Sequence, residues 1–219
     1  MNSAFIVTSC IKNIPGRGAF SHQERYEQTF DTFKSIRRLS PDSKIIFADD
    51  SIEELPQEWL DELNKYTDIT LTFNNHHQIQ ELSRSGLQSL AECLLMIQVF
   101  EEMKKYNFDR LFKITGRYCL DDGFDISHYE NLDGCFVYKK RVQSWMSPNW
   151  WLLDTRLWSV SSSLLPEAIS MYKNMFQPLS QGFDLEHATA MFIPQEKLVE
   201  FDKVHLKGRV ARDGTWRFD

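Results

Sequence analysis

Between Phe108 and Asp125 the sequence F-D-R-L-F-K-I-T-G-R-Y-C-L-D-D-G-F-D sets an apolar run, a small polar turn, an arginine and a tyrosine in immediate succession. Phe108 to Ile114 predicts a short buried strand, with Leu111, Phe112 and Ile114 supplying its apolar residues. Thr115 and Gly116 end the strand. Gly116 permits a turn, or a close backbone approach, that a β-carbon would block. Arg117 and Tyr118 follow directly, where a ligand is met at the carboxyl end of a strand. A cationic fork beside a glycine turn suits an anion, most simply a phosphate. The same residues are also compatible with a plain turn and a surface ion pair.

A second anion-type arrangement precedes it. The segment S-R-S-G-L-Q-S puts Arg84, Ser85 and Gly86 at the start of an apolar-periodic stretch. Free backbone N–H groups at a helix start, together with an arginine, favour negative charge. Further groups sit at other expected strand ends. Thr8 and Ser9 close the first strand, and Asp49-Asp50-Ser51 closes the second. An acidic residue there accepts hydrogen bonds from a ribose or base, or caps the next turn. The loop from Ile11 to His22 is long for a strand-to-helix connection, and Lys12, Arg17 and Arg25 make it locally basic. Toward the C-terminus, W-M-S-P-N-W-W-L-L-D-T-R-L-W combines Trp150 and Trp151 with Asp154. Indole faces beside carboxylates hold sugar rings, and they also pack cores. Asp184, Glu186 and His187 crowd the start of a late helix.

The elements that must position these groups are legible from periodicity. Strands are expected at Ala4 to Cys10, Lys44 to Ala48, Asp68 to Phe73, Phe108 to Ile114 and Gly134 to Lys140, with a loop and strand over Trp145 to Trp158 and a strand or hairpin over Phe201 to Val210. Gln23 to Leu39 predicts a helix with Tyr26, Phe30, Phe33, Ile36 and Leu39 on one face. Leu82 to Lys105 predicts the longest helix. Ile52 to Tyr66, Pro166 to Phe176 and a segment reaching Met191 predict shorter ones. Two adjacent histidines, His76 and His77, diverge too far for a metal pair and read as a surface turn.

Composition bounds the rest. With 42% apolar and 26% charged residues the chain is that of a globular protein, read as one domain over 1–219. A net charge of −6 argues against a nucleic-acid partner recognised by charge alone. The four cysteines form no C-x-x-C pair, so no zinc or redox motif is expected. No apolar run reaches membrane-spanning length, and no signal segment precedes the first strand; a cytoplasmic protein is expected.

The order of elements resembles the nucleotide-diphospho-sugar transferase fold, the GT-A glycosyltransferases. F-K-I-T-G-R-Y-C-L is similar to the K-x-S/T-G-R-Y segment of small bacterial, viral and phage glycosyltransferase-like proteins, and R-S-G-L-Q-S to the helix start before their central strand. The resemblance implies an α/β single domain with a Rossmann-type mixed sheet flanked by helices. It also implies transfer of a sugar from a nucleotide-diphosphate sugar to a glycan, lipid-linked or other hydroxyl acceptor. GT-A enzymes carry D-x-D where this chain has Lys113-Ile114-Thr115-Gly116-Arg117. D-x-D supplies carboxylate to a divalent metal. Here a metal is doubtful, and Lys113 and Arg117 are expected to neutralise the diphosphate directly.

Carried onto this sequence, the donor would contact Thr8, Ser9, Arg17, Asp49, Asp50, Arg84, Ser85, Lys113, Thr115, Gly116, Arg117 and Tyr118. Trp150, Trp151 and His187 would shape the sugar and acceptor sites, and His205 and Arg209 would close over the diphosphate. Asp184 or Glu186, with Asp154 in reserve, would be the base of an inverting transfer. A non-catalytic nucleotide- or glycan-binding protein and a nucleotidyltransferase are the alternatives on the same fold.

Overall fold

The computed structural model describes residues 1–219. Three parallel strands set the frame: β1 (Ser3–Ser9), β2 (Lys44–Asp49) and β4 (Arg110–Thr115), with β1 between the other two. Their side chains alternate between two apolar layers, as strand geometry requires. Ala4, Ile6, Ile46, Ala48 and Leu111 face one layer. Phe5, Val7, Ile45, Phe47, Phe112 and Ile114 face the other. Seven strands complete the sheet in the order β10-β6-β9-β4-β1-β2-β3. Here β3 is Ile69–Thr72, β6 Phe136–Lys139, β9 Leu157–Ser161 and β10 Leu198–Phe201. β9 alone runs antiparallel, inserted between β4 and β6, which makes the sheet mixed.

Helices cover both faces. On one lie α4 (Gln88–Met103) and α5 (Leu165–Ser180), with α6 (Leu185–Phe192) against α5. On the other lie α1 (His22–Leu39) and, at its edge, α2 (Gln57–Leu63). A small antiparallel sheet joins that second face: β5 (Tyr118–Leu120), β11 (Leu206–Arg209) and β12 (Trp216–Phe218). A two-strand hairpin, β7 (Val142–Gln143) and β8 (Trp151–Leu152), projects beside α6. No helix is long and apolar enough to cross a membrane.

Two expectations are corrected. The stretch Leu82 to Lys105 is not one helix: α3 (His77–Arg84) ends before Gly86, and α4 starts afresh at Gln88. Gly86 has φ +85, a left-handed conformation that a continuing helix excludes. Likewise Phe201 to Val210, expected as a strand or a hairpin, is neither: β10 ends at Phe201 and β11 begins at Leu206, in a different sheet.

The docking of α1 governs the site. Ser21 caps the helix in a reciprocal capping box with Glu24. Its apolar face packs as its periodicity predicts, but a polar stripe is buried too. Thr29 Oγ1 donates to the Gly116 carbonyl at 3.1 Å, and Thr32 Oγ1 to the Tyr118 carbonyl at 2.8 Å. Ser35 Oγ accepts from the Leu120 N–H at 3.1 Å. These three hydroxyls satisfy the inner edge of 116–120 and fix the helix against the end of β4.

Candidate functional site

A cleft of about 470 Å³ opens at the carboxyl ends of β1, β2 and β4. Its floor comes from the strand ends, Thr8, Ser9 and Cys10, Asp50, and Thr115 with Arg117. Gln88, Glu92 and Leu95 of α4 form one wall, and Asn13 to Gly18 of the β1–α1 loop form another. Ala211 and Arg212 close the mouth. Four arginines therefore border the cleft, Arg17, Arg25, Arg117 and Arg212, with Asp50 and Glu92 as its carboxylates.

The arginines differ in what holds them. Arg17 donates to the Ser83 carbonyl at 2.8 Å and the Arg84 carbonyl at 3.3 Å, so it ties the loop to the end of α3. Arg25 is only 6% exposed and enters no ion pair; Nη1 donates to the Cys10 carbonyl at 3.1 Å, and Nε has no partner. Arg117 also enters no ion pair, and its buried Nε is unpartnered. Burial, then the neighbouring Arg117 charge, pull the Arg25 pKa down. Arg25 sits one turn before Thr29 on the polar stripe, and Thr29 rests on Gly116. That register brings it beside Arg117. The sequence reading placed Arg25 only among the basic residues near the β1–α1 loop, because an arginine four residues from Thr29 reads as part of a solvated helix face. A stripe of 25, 29, 32 and 35 at helical spacing was the available signal.

The donor-side residues separate into those that border the cleft and those that do not. Thr8, Ser9, Arg17, Asp50, Thr115 and Arg117 line it. Asp49 does not: it is 1% exposed, and its carboxylate accepts the Ile11 and Ser51 N–H groups, each at 3.1 Å. Burial nevertheless pushes its pKa up to about 6. Asp50 points into the cleft instead, and burial, then Asp49 and Glu92, push it up to about 7. Lys113 corrects the central expectation. Its side chain is 2% exposed and its ammonium lies 2.6 Å from Glu92 Oε1, 2.9 Å from Thr115 Oγ1 and 2.9 Å from the Thr155 carbonyl. Its charge is consumed inside the protein, because strand alternation aims it into the α4 layer. Arg84 donates to the Ile52 carbonyl and Ser85 caps α3, so both serve the loops behind the cleft. Gly116 is packed under Thr29, and Tyr118 is 3% exposed beneath Arg156.

The acceptor-side and base residues lie outside the cleft. Asp184 caps α6, with Oδ1 accepting the His187 N–H at 2.9 Å and bonding His187 Nδ1 at 2.6 Å. His187 is fully buried, and its Nε2 meets Ser144 Oγ at 2.7 Å, so it offers no surface to a sugar. Glu186 accepts from Thr155 Oγ1 at 3.0 Å, one layer behind the Lys113 cluster, and burial raises its pKa. Asp154 forms a two-point ion pair with Arg156 in a separate small cleft of about 100 Å³. Trp150 packs on Phe183 and His187, whereas Trp151 is 46% exposed. His205 pairs with Asp121 over Gly123, and Arg209 donates to the Gly214 carbonyl while covering Phe20. The residue of that tail at the cleft is Arg212.

A divalent metal fits poorly. No group of three or more His, Cys, Asp or Glu side chains is placed to hold an ion. Where D-x-D would supply two carboxylates, Lys113 and Thr115 bond to each other.

No protein-family model matches the chain, and no curated protein matches its sequence. Solved structures do match its fold. Core-mannan synthase A from Aspergillus fumigatus, in a form with Mn and GDP, superposes with a TM-score of 0.57 at 9% identity, over 92% of this chain and 73% of that one. The galactosyltransferase LgtC, in complex with donor and acceptor sugar analogues, gives 0.54 at 9% identity, over 91% and 73%. A glycosyltransferase involved in the glycosylation of the major capsid of PBCV-1 gives 0.51 at 10% identity, over 92% and 82%. The mixed sheet and its flanking helices are therefore those of the GT-A glycosyltransferase fold.

Proposed function

We propose that this chain transfers a sugar from a nucleotide-diphosphate sugar to a hydroxyl of a glycan or similar acceptor. The observation that carries the reading is the position of the arginine-bordered cleft, at the carboxyl ends of the parallel strands of a GT-A-type sheet. In open α/β sheets ligands bind in that crevice. The donor nucleotide would lie against Thr8, Ser9 and the Asn13–Gly18 loop, with its diphosphate toward Arg117 and Arg212. Breaking the glycosidic bond leaves charge on the diphosphate, and cations fixed there lower the barrier by meeting that charge. Positive side chains would do this where a metal does it elsewhere. The acceptor would enter from the mouth; of the two carboxylates in the cleft Glu92 is paired with Lys113, which leaves Asp50 to take its proton.

The test is incubation with a panel of nucleotide sugars, with and without manganese, following nucleoside diphosphate release and sugar transfer. Release or transfer that disappears in a folded Arg117→Ala variant supports the reading. Saturable binding without turnover would make the chain a binding protein, and turnover of a nucleoside triphosphate in preference would make it a nucleotidyltransferase. Either result overturns the proposal.

A further inference from the structure

Two arginines are buried without a counterion: Arg110 is satisfied by hydrogen bonds to Ser159, Ser161 and the Leu132 carbonyl, whereas Arg25 is not. Charged groups are almost never fully buried unless paired. Arg25 is 94% removed from solvent by its 6% exposure, yet it enters no ion pair and leaves Nε without a partner. Beside it Arg117 repeats the pattern, with a buried Nε and no ion pair. The two cations are near enough to depress the Arg25 pKa. Like charges in a half-enclosed cleft repel, and the fold does nothing to separate them. On the contrary, Thr29, Thr32 and Ser35 hydrogen-bond the 116–120 segment to α1 and hold the pair together. The nearby carboxylates do not pair with it: Glu92 is taken by Lys113, and Asp50, although its charge acts on Arg25, forms no ion pair with either arginine.

Resting on the reading of the cleft as the donor site, we infer that Arg25 and Arg117 together form a receptor for a diphosphate that needs no divalent metal. Each guanidinium presents a planar fork matched to phosphate oxygens. Both arginines and the adjoining Thr8, Ser9 and Thr115 line the same cleft and supply its donors. Arg212 borders the mouth, where the rest of the donor would leave. Arg25 thus becomes the buried anchor. The lack of a three-residue ligand set for a cation follows from the same design.

The probe is inorganic pyrophosphate, titrated by calorimetry into the full chain in excess EDTA, with a thermal melt at each concentration. The wild-type protein is expected to bind saturably and to melt at higher temperature as pyrophosphate rises. Arg25→Met is expected to weaken binding by about tenfold to a hundredfold, the range for a lost charged hydrogen bond. Arg25→Lys should recover only part of that, because an ammonium cannot fork. If Arg25→Met does not fold, Arg117→Met carries the same expectation. Pyrophosphate binding that requires a divalent metal overturns the inference. So does unchanged affinity in Arg25→Met with a lowered melting temperature, the signature of a merely structural bond to the Cys10 carbonyl. Metal-free pyrophosphate binding through Arg25 without sugar-nucleotide turnover would keep this site and sink the transferase reading. Transfer that survives Arg25→Met unimpaired would do the reverse.

Discussion

Replacing Gly116 by alanine tests the link between helix docking and the anion site. Gly116 is not in the left-handed region, so alanine is free to adopt its backbone angles and the cost is contact alone. A β-carbon there would lie 3.1 Å from Thr29 Oγ1, 3.2 Å from the Thr8 carbonyl and 3.3 Å from Ser9 Cβ. The Thr8 carbonyl is fixed, because it accepts the Gly116 N–H at 2.8 Å. Thr29 is fixed by bonds to Ser9 and Gly116. Something must move by a few tenths of an ångström, and α1 is the movable body. Overpacking of one methyl costs about 1–3 kcal/mol, and loss of the Thr29–Gly116 bond about 1 kcal/mol more. The sum, about 2–4 kcal/mol, lowers the melting temperature by roughly 4–16 °C for a domain of this size. Because Arg25 is one turn from Thr29, pyrophosphate affinity should fall as well, although neither arginine is altered. The assay is thermal unfolding by circular dichroism, paired with calorimetric titration. Combining Gly116→Ala with Thr29→Ala should be less damaging than the sum of the two, by at least about 0.5 kcal/mol, since the shared contact is removed once. A Gly116→Ala protein that melts within about 2 °C of wild type, or strict additivity of the pair, would refute the reasoning.

Other outcomes follow from the same geometry. Lys113→Met should destabilise the fold by about 2–4 kcal/mol in urea, because Glu92 and two oxygens lose their cation. It should change pyrophosphate affinity less than threefold, whereas Arg117→Met should change it at least tenfold. Thr32→Val leaves the Tyr118 carbonyl unpaired and should cost about 1–3 kcal/mol, read as a shift in urea midpoint at constant slope. Asp50 is held up to about 7 by burial, so the fold favours its neutral form. Its contribution to stability is therefore full below the ordinary carboxylate pKa and lost as pH rises toward 7. Asp50→Asn should flatten the stability profile between pH 4 and 7, and an unchanged slope would exclude this assignment.

The fold was legible because its strands announce themselves. A-F-I-V, K-I-I-F and R-L-F-K-I are short, β-branched and aromatic, and their alternation survives in the two layers. The ends of those strands also predict the place of the cleft, since Thr8, Ser9, Asp50, Thr115 and Arg117 all reach it. What failed was direction. Lys113 and Arg117 are four residues apart, and no periodicity across the strand end said that one would turn inward to Glu92 and the other toward the cleft. Asp49 and Asp50 are adjacent, and strand alternation allows one of them outward without saying which. Arg25 was legible only as part of a basic loop, and its burial was not, because that depends on the 116–120 segment closing over α1, contacts 86 and 87 positions apart. His205 and Arg209 pointed to the right tail, but the cleft is reached by Arg212 beyond them.

The cluster Asp184–His187–Ser144 shows how a catalytic-looking chain arises from structural need. In bond order it matches an acid–imidazole–hydroxyl relay, at 2.6 and 2.7 Å. Yet Ser144 Oγ already accepts the Met146 N–H at 2.9 Å, and Asp184 Oδ1 already accepts the His187 N–H. The imidazole is fully buried, so no substrate carbonyl can approach it. A relay whose acceptors are spent on backbone has a mechanical role: it pins the exposed hairpin of Trp145, which is 76% exposed over His187, to the first turn of α6. Thr155 and Glu186 pin the strand connection to the same turn. The carboxylates at that helix start are thus committed before any acceptor arrives, which leaves base chemistry to the cleft itself. His187→Ala should consequently lower the melting temperature while leaving pyrophosphate affinity within twofold, and a selective loss of binding or turnover in a protein of unchanged stability would show that the relay does chemistry after all.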